Sequence, residues 1–94
     1  LMSAKKEVRR QFRQAVFDRA GYRCECCGKP GVDRQSDEPG DKLDAHHIID
    51  RHWFPNGGYV AENGISVCDD CHLKAEAFHM GKEPEPGFHP DELL

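Results

Sequence analysis

The sequence predicts a small α+β fold, and three observations lead to this class. Apolar residues near the N-terminus recur at helical spacing, two later segments alternate as short β-strands do, and two matched cysteine pairs flank those segments. A chain of 94 residues with 32% charged residues fits one polar domain with a small core. We expect a single domain over residues 1–94, made of a basic amphipathic helix (1–21), a cysteine-tied core (22–80) and an acidic, proline-rich tail (81–94).

The first predicted element is the helix SAKKEVRRQFRQAVFDRAG, residues 3–21, which Ser3 can cap and Gly21 can end. Four apolar residues have the i, i+4, i+7, i+8 spacing of one buried stripe: Val8, Phe12, Ala15 and Val16. Basic residues occupy the opposite face and its edge: Lys6, Arg9, Arg10 and Arg13.

The later elements follow from local composition. A cysteine turn breaks the helical pattern, and residues 31–42 are rich in turn formers and predict a loop. The strings LDAHHI (43–48) and GISV (64–67) predict two strands joined by a long loop, and the string CDDCHLKAEAFHMG (68–81) predicts a second helix closed by Gly81. The acidic tail shows no periodicity.

Charge is divided unevenly along the chain. Residues 1–35 hold nine Lys and Arg against four Asp and Glu, whereas residues 36–94 hold four against thirteen. This asymmetry fits either two solvated faces or a surface that contacts another molecule. No apolar run approaches the ~18 residues of a membrane span. The basic N-terminus also lacks the apolar stretch of a signal peptide, so we expect a cytoplasmic protein with no membrane partner.

The cysteines form two C-x-x-C pairs, Cys24 with Cys27 and Cys68 with Cys71. Four thiolates satisfy tetrahedral Zn²⁺, so the pattern predicts a structural zinc site with no open position for chemistry. A disulfide framework is the alternative, which the odd count of five cysteines weakens. Cys26 is expected to take no part.

A second set of metal-binding residue types lies near these pairs. His46 and His47 are adjacent in a predicted strand, where neighbouring side chains point to opposite faces. One of the two can therefore hold a metal ion while the other faces a substrate. His72 follows Cys71 directly, so a zinc site fixes its backbone at the start of a helix. Asp44 shares the predicted face of His46 and can orient it.

The strings LDAHHI, ENGISVC and CDDCH, in this order, resemble the signature of HNH endonucleases in their zinc-stapled form. The resemblance covers residues 22–78. It implies the ββα-metal (His-Me finger) nuclease motif, in which two strands, a loop and a helix surround one divalent ion. The two strands and the second helix predicted above fit this order.

The resemblance also implies roles for individual residues. His46 and His72 resemble the ligands of the divalent ion, and His47 resembles the general base that activates water. Asn63 resembles the residue that holds the loop and so orients His47. Glu76, four residues after His72 on the same helix face, corresponds to a second helix ligand in the colicin-type branch.

The implied activity is hydrolysis of DNA phosphodiester bonds, with RNA as a second possible substrate, in a protein of bacterial or phage origin. The implied ion is Mg²⁺, Mn²⁺, Ni²⁺ or Zn²⁺, because mixed nitrogen and oxygen ligands do not select among them. Basic residues are candidates for phosphate contacts: Lys6, Arg9, Arg10, Arg13 and Arg51. One alternative is a non-catalytic, zinc-stapled nucleic-acid-binding module. Another is a structural zinc domain that docks proteins through its acidic half.

Overall fold

The computed structural model describes residues 4–49, 58–82 and 86–93. The elements are helix α1 (Ala4–Ala20), strands β1 (Val32–Asp33), β2 (Lys42–His47) and β3 (Gly64–Cys68), helix α2 (Asp69–His79) and the short helix α3 (Pro90–Leu93). One turn of 3₁₀ helix, Ala61–Asn63, precedes β3. The predicted α+β class and the order of its main elements are confirmed.

The sheet has the strand order β1-β2-β3, with β1 parallel and β3 antiparallel to β2. The register of β2 and β3 pairs Leu43 with Cys68 and His47 with Gly64. The second cysteine pair therefore lies beside the start of β2, and the two histidines lie at its end. The prediction of a loop over residues 31–42 is wrong at Val32–Asp33, since a two-residue strand is too short to show alternation in the sequence.

Helix α1 packs on the sheet through Phe12, Val16 and Phe17, which are at most 4% exposed. The predicted stripe is therefore wrong in part, because Val8 is 42% exposed and Ala15 is also exposed. The helix is rotated so that Phe17 joins the central apolar cluster with Leu43, Ile65 and Val67. Helical spacing alone does not say which edge of a stripe meets the sheet.

Gly64 allows this close packing of α1 on β3. A Cβ atom at Gly64 would collide with Val16 and lie only 2.7 Å from Cζ of Phe12. Arg19, near the end of α1, secures the same region by donating hydrogen bonds to the carbonyls of Ala61 (2.8 Å) and Gly64 (2.6 Å). The position of α1 over the histidine end of β2 is therefore strongly restricted.

The helix ends follow their predicted signals. Gly21 and Gly81, with φ values of 63° and 76°, stand just after α1 and α2 in the left-handed conformation that glycine favours. The predicted cap Ser3 lies outside the described residues. In the tail, which shows no sequence periodicity, Phe88 and Leu93 pack against the core. Among the described residues, no helix is long and apolar enough to cross a membrane.

Candidate active site and zinc site

Four cysteines lie together where the first cysteine turn meets the start of α2. Their Sγ atoms all lie within 4.8 Å of one another: Cys24, Cys27, Cys68 and Cys71. The sulfurs of Cys27 and Cys68 are 3.7 Å apart. Thiolates bound about 2.3 Å from one tetrahedral Zn²⁺ are about 3.8 Å apart. None of the five cysteines forms a disulfide, so the disulfide alternative is wrong, and this donor set fits a structural Zn²⁺.

The backbone around Cys24 favours its thiolate form, which zinc requires. Burial raises the pKa of the Cys24 thiol. Hydrogen bonds from the backbone N–H groups of Cys68, Cys27 and Cys26 outweigh burial and lower the pKa to about 6. Cys26 lies outside the four-cysteine group, and burial together with the charges of Cys24 and Cys27 raises its pKa to about 11. Burial also raises the pKa of Cys71, a member of the group, so the sulfur geometry rather than the pKa identifies the zinc ligands.

A second cluster joins β2 to α2. The Oε1 atom of Glu76 lies 3.2 Å from Nδ1 of His46 and 3.2 Å from Nε2 of His72. Two ligand atoms each about 2.1 Å from one ion are about 3.0–3.4 Å apart in octahedral or tetrahedral geometry. The side chain of His46 is only 2% exposed. The donor set of two imidazoles and one carboxylate therefore fits a divalent ion.

Asp44 supports this cluster from the other side of His72. Its Oδ2 atom lies 3.3 Å from Nδ1 of His72, the ring nitrogen that does not face Glu76. Nε of Arg34 donates to the same carboxylate at 2.9 Å, and Arg34 also pairs with Asp69 at the start of α2. The shared strand face predicts that Asp44 orients His46, and this prediction is wrong. The structure pairs it with His72, because α2 lies over the face of β2 that carries Asp44.

The pair of Asp44 and His72 shifts the pKa of both groups. The hydrogen bond to Asp44 raises the pKa of the His72 imidazole above its ordinary value. Burial raises the pKa of the Asp44 carboxyl, but hydrogen bonds from His72 and Arg34 outweigh it and lower the pKa. When Nδ1 of His72 donates to Asp44, Nε2 presents its lone pair toward His46 and Glu76.

His47 lies on the opposite face of β2, toward α1. Its ring stacks on Phe12, with centroids 4.7 Å apart and an interplanar angle of 14°. The edge of Tyr59 meets the same ring at 4.8 Å and 85°. Phe12 and Tyr59 also contact each other at 5.6 Å, so the three residues form one group, which we term the three-ring cluster (Phe12, His47 and Tyr59).

Asn63 ties the end of β2 to the segment before β3. Its side-chain Oδ1 accepts a hydrogen bond from the backbone N–H of Ile49 (2.9 Å), and its Nδ2 donates to the carbonyl of Ile49 (3.1 Å). Nδ2 also donates to the carbonyl of Gly58 (3.3 Å). Asn63 is 1% exposed and its amide is fully engaged, so it fixes the backbone just after the two histidines.

Comparison with known families agrees with this arrangement. Residues 24–78, more than half of the chain, match the HNH endonuclease family. The chain belongs to the HNH endonuclease family. No significant match is found among curated proteins or among solved structures. The ββα-metal motif of this HNH domain consists of β2, β3 and α2, so the predicted fold class is confirmed. Helix α1 lies outside the matched range.

Three of the four candidate basic residues of α1 pair with neighbouring side chains in the HNH protein. Arg10 pairs with Glu7 at 2.5 Å, and Arg13 pairs with Asp33 at 3.4 Å. Nε of Arg9 donates to the hydroxyl of Tyr59 at 3.2 Å. Arg9 is thereby placed beside the three-ring cluster. Lys6 is exposed, and Arg51 lies outside the described residues.

Three residues near the site have no signal in the sequence pattern of this HNH domain. Tyr59 and Arg34 occur in segments predicted as loops, and Phe12 was predicted only as part of the core. Each meets a partner over a long sequence distance: Arg34 meets Asp69, Phe12 meets His47, and Tyr59 meets Arg9. Helical and strand periodicities extend over one element, so they cannot reveal such pairs.

Proposed function

We propose that this HNH protein is a metal-dependent endonuclease that hydrolyses phosphodiester bonds of DNA. His47 is the general base, and His46, His72 and Glu76 hold one divalent ion. The observation that carries the proposal is the separation of the adjacent histidines. His46 lies 3.2 Å from Glu76 in a set of metal-binding atoms, whereas His47 lies on the other strand face, stacked on Phe12.

The chemistry of the donor set supports the proposed ion. Neutral imidazoles with one carboxylate accept Mg²⁺, Mn²⁺, Ni²⁺ or Zn²⁺. A divalent ion supplies positive charge that stabilises the scissile phosphate and the leaving 3′ oxygen. Asp44 holds the Nδ1 proton of His72, and the burial of His46 keeps bulk water from that ligand. Both effects favour a pre-arranged site.

His47 is assigned the proton transfer. A neutral imidazole accepts a proton from water while the water oxygen bonds to phosphorus and the bond to the 3′ oxygen breaks. The leaving 3′ oxygen takes a proton from solvent water, so the products are a 5′-phosphate and a 3′-hydroxyl end. Asn63 supports this step by fixing the backbone at Ile49, two residues beyond the base. A positioned general base typically contributes roughly 10²–10⁴-fold to the rate.

Cleavage of supercoiled plasmid by protein that carries only its structural zinc tests the proposal. We expect nicked or linear DNA after addition of Mg²⁺, Mn²⁺, Ni²⁺ or Zn²⁺, and intact plasmid without added metal. The His47→Ala variant should bind the plasmid and leave it intact over the same time. A wild-type protein that binds the plasmid and cleaves it with none of the four ions would overturn the proposal.

A further inference from the structure

We propose that α1, outside the matched HNH region, supplies a positioning residue for the general base. Phe12 holds the ring of His47 in its reactive orientation, and Tyr59 closes a second side of that ring. This inference rests on the proposed function, since it requires His47 to be the base. In this view the active site includes a residue of α1, a helix outside the matched HNH region.

The geometry of the three-ring cluster restricts rotation of His47. Rotation of a histidine ring about its last side-chain bond is broad when nothing packs against it. Here Phe12 lies nearly parallel to the ring, at 14° and 4.7 Å, and Tyr59 meets it nearly perpendicular, at 85° and 4.8 Å. Stacked and edge-to-face contacts are the two favoured arrangements of aromatic pairs. Turning the imidazole would break both contacts.

The backbone dictates where Phe12 lies. Gly64 is the cross-strand partner of His47, and a Cβ atom there would lie 2.7 Å from Cζ of Phe12. The ring of Phe12 therefore occupies the space that a larger residue beside His47 would fill. Phe12 is 4% exposed, so it has little freedom to move away.

The same helix also fixes Tyr59. Arg9, one turn before Phe12 on α1, donates from Nε to the Tyr59 hydroxyl at 3.2 Å. Its guanidinium carbon lies 5.9 Å from the centroid of the Tyr59 ring. Both residues that pack on His47 are thus held by α1. A displacement of this helix would loosen the base without touching His46 or Glu76.

A double-mutant cycle separates positioning of the base from ordinary core packing. The test compares Phe12→Leu with Phe17→Leu, each in the wild-type and the His47→Ala background. Phe17 is a matched control because it is a buried phenylalanine of α1 that stacks on Tyr22 rather than on His47. Single-turnover cleavage of labelled DNA is measured at a temperature where circular dichroism shows every variant folded.

We expect Phe12→Leu to lower the cleavage rate by roughly ten- to a hundredfold, the range of a small misplacement of a reacting group. The substitution should cause no further loss in the His47→Ala background, and Phe17→Leu should cleave at the wild-type rate. Calorimetric affinity for Mn²⁺ should be unchanged by Phe12→Leu. In NMR spectra, the ring protons of His47 should move downfield when the stacked ring is removed.

Two results overturn the inference and leave the proposed function intact: wild-type cleavage by Phe12→Leu, or an equal loss with and without His47. Both count only against the role of Phe12, because the wild type still cleaves and His47→Ala still cleaves far more slowly than the wild type. A wild-type protein inactive with every ion would overturn the proposed function and this inference together.

Discussion

The rings of His46 and His47 face different helices, although the two residues are consecutive in β2. Nδ1 of His46 lies 3.2 Å from Glu76 on α2, whereas the ring of His47 stacks at 4.7 Å on Phe12 of α1. Alternation along a strand causes this separation. Substitutions at the two positions should therefore have different consequences.

We expect His47→Ala to remove the base and leave the divalent ion bound. Cleavage should fall by roughly 10²–10⁴-fold, while the affinity for Mn²⁺ or Ni²⁺ stays at the wild-type value. His46→Ala and His72→Ala should weaken the ion instead, and higher metal concentrations should restore part of their activity. Calorimetric titration beside plasmid cleavage checks all three variants. Loss of the ion by His47→Ala, with an active His46→Ala, would show that the two roles are reversed.

Removal of the structural zinc should unfold the domain. Cys68→Ser breaks the four-cysteine group at a 4% exposed position, and structural zinc contributes on the order of 10 kcal/mol in zinc-finger peptides. Metal analysis and thermal melting followed by circular dichroism are the measurements. Cys26→Ser is the matched control and should keep both the zinc and the melting temperature. A zinc-free protein that melts like the wild type would contradict the assignment.

Asp44 should strengthen the metal site through His72. Asp44→Ala removes the acceptor for Nδ1 of His72, and loss of such a partner typically costs 10–100-fold in metal affinity. Asp44→Asn keeps a hydrogen-bond acceptor, so its Mn²⁺ affinity should lie between those of the wild type and Asp44→Ala. Mn²⁺ titration at pH 8 measures this effect. Asp33→Asn is a suitable control, since Asp33 is similarly shielded and also pairs with an arginine. Equal losses of Mn²⁺ affinity at both positions would indicate general destabilisation of the protein rather than an effect on His72.

Metal binding should also depend on pH through His72. The hydrogen bond to Asp44 raises the pKa of His72 above its ordinary value of 6.5, and a metal ligand must be neutral. Affinity for Mn²⁺ should therefore be full above this raised pKa and fall as the pH decreases through it. Asp44→Ala removes the largest cause of the shift, so the midpoint of Mn²⁺ binding against pH should move to lower pH in this variant. An unmoved midpoint, measured by titrations from pH 5 to 8, would contradict this coupling.

The basic face of α1 is expected to contact phosphates, with Arg9 as the strongest candidate because it is exposed beside the three-ring cluster. Arg9→Gln should weaken DNA binding equally across sequences and lower the slope of log affinity against log salt by roughly one. Arg13 is held by Asp33, so Arg13→Gln should have a smaller effect. Fluorescence anisotropy at several salt concentrations provides the slopes, with Lys29→Gln as the control. An unchanged slope for Arg9→Gln would show that Arg9 faces solvent and makes no contact with DNA phosphates.

The sequence by itself determined the features that depend on short-range periodicity. The two C-x-x-C pairs predict the four-cysteine group, and strand alternation predicts that His46 and His47 face apart. Helical spacing places Glu76 on the same face as His72. The histidine and glutamate inferences need only the geometry of one strand or one helix. The meeting of the two distant cysteine pairs follows instead from the four ligands that a structural Zn²⁺ requires.

The tertiary structure alone decided which distant residues meet. Strand β1 exists because it pairs with β2, and α1 packs closely on β3 through Val16 and Phe12 because Gly64 carries no side chain. Asp44 supports His72 rather than His46 because α2 covers its strand face. The contact of Phe12 with His47 follows in the same way. Such contacts depend on how whole elements pack, and packing is set by shape and volume across the core rather than by spacing along the chain.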